Sequence, residues 1–238
     1  MAVKRSRSAG RMLTVFEAVA AAQPVGVSAL ARQVGADKSA VQRDLVTLAD
    51  AGWIRPAPTA PGQWELTPHI LTLARAPSSV DSLRLRARPV LERLRGETGE
   101  TVYLTVPDGD HFVVIDAIES FHLLRMVPPI GIVVPVEGSA TARAVLPYLS
   151  ADDQARLLGK TPNEGLQREF AATREQGYAV NAEDIVAGAN ALAAAILGRE
   201  GAPSGALVVT GPAERLGPSR RAEIGAQLRA AAATLSQA

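Results

Sequence analysis

Lys38, Ser39, Gln42 and Arg43 fall within two turns of a stretch that reads as a helix. At 3.6 residues per turn they lie largely opposite Val41, Leu45 and Leu48, which have the spacing of a packing face. A Gln side chain can pair with adenine and an Arg side chain with guanine in the major groove, while Lys and Ser suit phosphates. The chemistry on offer is reading double-stranded DNA. The same four residues would also serve as the solvated face of a small helical bundle, so the flanking elements have to decide.

Those elements favour DNA. Residues 7–22 carry Met12, Val15, Phe16 and Val19 on one helical face, and Pro24 and Gly26 stop the pattern. Ser28 is the expected cap of a short helix over 29–34, with the small Ala31 where two helices must cross. Gly35 permits the turn, Asp37 is the expected cap of the next helix, and Gly52 ends it. Residues 53–56 and 63–66 read as two strands around a Pro/Gly-rich turn, a wing from which Thr59 and Gln63 would reach the backbone or minor groove. Lys4, Arg5 and Arg7 form a basic arm. A short helix over 68–74 completes a winged helix-turn-helix domain over 1–75.

Residues 76–79 are the expected linker. Leu83, Leu85, Val90, Leu91 and Leu94 predict a helix over 80–95 that Pro89 should kink or break, and residues 76–98 are assigned as a linker helix. Its apolar face, with Met12 and Val15 of the first helix, is expected to meet a second copy of the chain. From 99 to 238 strands and helices interleave. A hairpin is expected over 101–106 and 111–118, with further strands over 121–127, 178–181, 189–197 and 205–211. Helices are expected over 139–149 and 163–176 and from Pro218 onward. The fold class is α+β.

Composition narrows the function. The chain has 238 residues and no cysteine, which excludes disulfides and thiolate metal sites. His69, His111 and His122 are too scattered for a zinc site, and no cofactor is expected. Residues 1–70 hold eight Lys/Arg against five Asp/Glu, and residues 89–238 hold thirteen against eighteen. A basic first third joined to an acidic remainder suits a protein with one half facing phosphates. No apolar run is long enough to span a membrane and the start lacks a signal-peptide core, so a cytoplasmic protein without a membrane partner is expected. There is no Gly-rich phosphate loop, no Gly-x-Ser-x-Gly elbow and no histidine placed for base work, so an enzyme is not expected.

Ala29-Leu-Ala-Arg-Gln-Val-Gly-Ala-Asp-Lys-Ser-Ala-Val-Gln-Arg43 resembles the helix-turn-helix of the IclR family of bacterial regulators. Arg88-Pro-Val-Leu-Glu-Arg-Leu-Arg-Gly-Glu-Thr-Gly-Glu-Thr-Val102 is similar to that family's linker and first sensor strand. Gly138-Ser-Ala-Thr-Ala-Arg-Ala-Val-Leu146, Arg174-Glu-Gln-Gly-Tyr-Ala-Val180 and Gly205-Ala-Leu-Val-Val-Thr-Gly-Pro212 resemble three further sensor motifs in the right order. The resemblance implies a GAF-like effector domain with a curved antiparallel sheet, a homodimer or homotetramer, and a palindromic operator. It also implies a small-molecule effector pocket lined by Met126, Ile130, Ser139, Ala140, Thr141, Asn181, Ala191 and Val208. Several positions depart from the family pattern. Asn181 stands where an acid is common, Ala191 where Cys or Ser is frequent, Val208 where Ser is common and Ala195 where Pro is usual, and the 158–163 segment is shortened. These departures leave open a regulator whose C-terminal domain only oligomerises. Ser139 reads both as a helix cap and as a carboxylate contact. Arg125 reads either as an anion partner or as a surface residue of a strand.

Overall fold

The computed structural model describes residues 6–74, 79–198 and 200–236. Contacts divide the chain into a unit of residues 1–77 and a unit of residues 78–238. The first unit holds α1 (Arg7–Ala22), β1 (Val25–Gly26), α2 (Val27–Val34), α3 (Lys38–Asp50), β2 (Ile54–Pro56), β3 (Gln63–Leu66) and α4 (His69–Leu73). Val15 and Val19 of α1, Leu30 of α2, Val41 and Leu45 of α3 and Ile54 of β2 close one core, which is why the three helices fold as a set. The strands form a three-stranded antiparallel sheet in the order β1-β3-β2. Gly35 turns the chain between α2 and α3 at φ 63°, a conformation glycine adopts without strain.

The start of α2 differs from expectation. Val25 and Gly26 pair with Trp64 and Gln63, so the chain passes straight from that strand into the helix. Gly26 becomes the cap and Ser28 lies inside the helix. Asp37 sits at the cap position of α3, but its side chain bonds none of the helix N–H groups. Its backbone carbonyl accepts from Ala40 and Val41 instead.

The second unit holds α5 (Ser79–Thr98), β4 (Thr101–Asp108), β5 (His111–Ile118), β6 (Val133–Val134), α6 (Ala140–Val145), a 3-10 turn (Leu146–Tyr148), α7 (Ala151–Leu158), α8 (Glu164–Gln176), β7 (Ala179–Ala182), β8 (Ala189–Leu197), β9 (Pro203–Pro212) and α9 (Pro218–Ser236). The strands make one curved antiparallel sheet in the order β6-β5-β4-β9-β8-β7, with the register shifting at Ile115 of β5 against β4 and at Ser204 of β9 against β8. Alternation along the strands builds two cores. Leu192, Ala194 and Ile196 of β8 and Leu207 and Val209 of β9 pack with α5 and α9. Ala193, Ala206 and Val208 face the other way and pack with α6 and α8.

The helix read as a linker, α5, continues through Pro89. The carbonyl that loses its donor there belongs to Leu85, which is 76% exposed, so water can replace the bond. Leu83, Leu91 and Leu94 are buried in the second unit's own core, with Val90 packed beside them. Met12 and Val15 belong to the first unit's core. None of these is the free apolar face expected for a partner chain. Exposed apolar residues lie elsewhere, among them Leu13, Leu71 and Leu73 in the first unit and Leu85 in the second. The strand expected over 121–127 does not form. Those residues are irregular, with Phe121, Leu123 and Leu124 on the surface. The edge of β5 is taken by residues 131–134 instead, through Gly131 N–H to the Val114 carbonyl and the register Val113 to Val133.

Two glycines of the 205–212 motif have a packing reason. A Cβ at Gly205 would lie 2.5 Å from the backbone oxygen of Thr105, and one at Gly211 would lie 2.5 Å from the Glu100 carboxylate. Gly205→Ala should therefore push β9 from β4 and lower stability by about 1–3 kcal/mol. A denaturation midpoint equal to wild type would show that the strands give way freely.

Candidate DNA-reading face and effector cavity

Lys38, Ser39, Gln42 and Arg43 are all exposed on α3, opposite the buried Val41, Leu45 and Leu48. Among the described residues neither Lys38 nor Arg43 has an ion pair with an acid, so their charge is available to a polyanion. Thr59 is exposed on the turn between β2 and β3, while Gln63 is half-buried in β3 opposite Gly26. Arg7 is exposed at the start of α1, and Arg5 and Lys4 lie outside the described residues.

One residue important to this face escaped the sequence reading. Asp44 is buried on the inner side of α3, where its carboxylate takes two bonds from Arg11 of α1, 2.7 Å from Nε and 3.1 Å from the terminal nitrogen. The hydrogen bond to Asp44, reinforced by its charge, raises the Arg11 pKa above its ordinary value. The pair fixes the rotation of α3 against α1. An acid on the stripe of Val41, Leu45 and Leu48 was the signal that a cation must meet it.

A cavity of about 330 Å³ opens on the α6 side of the large sheet. Of the eight residues expected at an effector pocket, Met126, Ser139, Ala140, Asn181 and Ala191 line it. Ile130, Thr141 and Val208 do not. Ile130 lies on the surface in the turn before Gly131, Thr141 is buried behind the lining with its hydroxyl unpartnered, and Val208 is sealed in the core. Much of the wall was not foreseen. Val127, Pro128, Pro129 and Ile132 come from the segment expected to be a strand and from its continuation, and Ile185 and Val186 come from the β7–β8 loop. Tyr103 and Thr210 belong to the sheet. Burial pushes the Tyr103 phenol far above its ordinary pKa, so it stays a neutral hydroxyl.

Among the described residues no Lys, Arg, His, Asp or Glu is on the lining. Arg125 points to Glu119, 3.0 Å away, and to the His122 carbonyl. The Ser139 hydroxyl accepts the Ala142 N–H at 3.1 Å and caps α6. The Asn181 amide donates to the Gly138 carbonyl, which an ionised acid could not do. Arg143 of α6 donates at 2.8 Å to both the Val180 carbonyl and Asp184. These bonds hold the 183–188 loop, which carries Ile185 and Val186, against α6. Arg143→Met should raise hydrogen exchange at Glu183, Gly188 and Ala189 by about tenfold while the central strands stay protected. Unchanged exchange at those amides would show that Arg143 does not anchor the loop.

Residues 8–58 match the IclR helix-turn-helix domain and residues 78–237 match the bacterial transcriptional regulator IclR C-terminal domain. This chain belongs to the IclR family. It is similar to the transcriptional repressor IclR of Escherichia coli, with 30% identity over 221 residues that cover 87% of this chain and 80% of that protein. Two solved structures share the fold. One is an IclR transcriptional regulator from Alicyclobacillus acidocaldarius, with TM-score 0.82, 21% identity and coverage of 98% of this chain and 99% of that one. The other is an IclR homologue from Microbacterium hydrocarbonoxydans complexed with 4-hydroxybenzoate, with TM-score 0.81, 20% identity and coverage of 97% and 98%. The family membership makes this protein a DNA-binding transcriptional regulator. Among the described residues no helix is long and apolar enough to cross a membrane, and no three His, Cys, Asp or Glu side chains are grouped to hold a metal.

Proposed function

We propose that this regulator binds a palindromic operator through Lys38, Ser39, Gln42 and Arg43, and that a small effector in the cavity modulates that binding. The effector is largely apolar and neutral or singly anionic. The observation that carries this reading is the lining itself: apolar walls, a few hydroxyl and amide groups, and no charged side chain. A di- or tricarboxylate would leave at least one charge desolvated and unpaired, which is costly. The Microbacterium homologue, of the same fold, binds a singly anionic phenol. The cavity also argues against a C-terminal domain that only oligomerises. The chain acts as a dimer or tetramer, with Leu13, Leu71 and Leu85 as the exposed apolar residues a second copy would cover.

The test is thermal stabilisation of the purified protein by 4-hydroxybenzoate and by citrate, followed by operator titration with whichever binds. A higher melting temperature with the monoacid, together with a changed DNA affinity, is the expected result. Coupling of about 1–3 kcal/mol is ordinary for such switches. Stabilisation by citrate alone would overturn the effector class.

A further inference from the structure

Val46 is 44% exposed on α3 and takes no part in the first unit's core. At 100° per residue Ser39, Gln42 and Val46 lie within about 60° of one another on the helix surface. Val46 therefore stands on the same stripe as the polar residues of the DNA-reading face, one turn beyond Gln42. Folding gives no reason for it. A β-branched residue is a weaker helix former than alanine, and Val46 is not among the residues that pack on the unit's core. In the major groove the one apolar feature of a base edge is the C5-methyl of thymine. We propose that Val46 is a specificity-determining residue that packs on a thymine methyl.

The helix geometry also says where that thymine lies. Gln42 and Val46 are four residues apart, about 6 Å along the axis. With the helix running along the groove, this is one to two base-pair steps of about 3.4 Å. The thymine read by Val46 thus falls one or two pairs from the base pair read by Gln42, once in each half-site.

The experiment uses the full-length protein and a duplex it selects from a randomised library. Each thymine and its counterpart in the other half-site are replaced together by deoxyuridine, which lacks only the methyl, and losses are compared per half-site. Removing one buried methyl predicts a loss of about three- to fivefold in affinity at a single thymine per half-site. Val46→Ala should show the same loss on the thymine duplex and no further loss with deoxyuridine. Val46→Thr, which keeps one methyl and the branched shape, should fall between wild type and alanine. Melting temperatures of both variants should match or exceed wild type, since the side chain is not in the core. Deoxyuridine tolerated at every position would overturn the proposal, and so would losses from Val46→Ala and deoxyuridine that simply multiply. Failure to select any duplex would instead overturn the DNA-binding reading on which the proposal stands.

Discussion

Arg215→Ala should lower the stability of the 78–238 unit by about 3 kcal/mol, the low end for breaking a buried pair. Glu100, between α5 and β4, is fully buried. Its two oxygens accept from Arg215 at 2.6 and 2.8 Å, and Gly211 leaves room for the carboxylate. The hydrogen bond to Glu100 is the largest influence raising the Arg215 guanidinium pKa, helped by the charges of Glu100 and Glu214. Arg215 also donates to the Leu124 carbonyl and so ties the irregular segment before the cavity wall to the sheet. Removing the arginine strands a carboxylate in the interior. The loss stays at the low end because the guanidinium side of the pair still reaches water. A unit of this size should then melt roughly 6–12 °C lower. The double variant Glu100→Gln/Arg215→Met should recover part of the loss, because neither remaining group is charged. If the single variant melts with wild type, the pair contributes nothing to holding the unit together.

Arg43→Ala is expected to weaken binding to the selected operator by about 1–3 kcal/mol, roughly 5- to 150-fold. Arg43 is exposed beside Gln42, and Asp44 next to it is neutralised by Arg11 and so does not compete for its charge. If the guanidinium reads a guanine, the variant loses discrimination at one base pair of each half-site. If it pairs with a phosphate, the loss is uniform across sequences and the salt slope falls by about one. Anisotropy titrations against operator and scrambled duplexes at several salt concentrations separate these outcomes. Unchanged affinity for both duplexes at every salt concentration would remove Arg43 from the interface.

The DNA-reading unit was largely legible in the sequence because its determinants are local. Helix periodicity, Gly35 and Gly52 at the turns, and the Pro/Gly break between two short strands each act within a few residues. The same locality placed β8 and β9, expected over 189–197 and 205–211 and found over Ala189–Leu197 and Pro203–Pro212. Three features depended on distant partners. The 121–127 segment has the composition of a strand, but the edge of β5 was taken by residues 131–134, and a strand without a partner cannot satisfy its backbone. Asp44 marks itself as odd on an apolar stripe, yet only the fold brings Arg11 to it from 33 residues away. The cavity drew half its wall from two surface loops, and which side chains line a loop is set by how the chain closes, not by a period. That is why Met126 and Asn181 could be carried over from a family pattern while Ile185 and Val186 could not, and why Val208, one position along its strand face from Thr210, lies in the core. Sequence alone determined the helix-turn-helix with its polar stripe on α3 and the hairpin of β4 and β5. Only the tertiary structure decided that no charged side chain among the described residues lines the cavity, because that depends on where Arg125 and Arg143 find their partners in space.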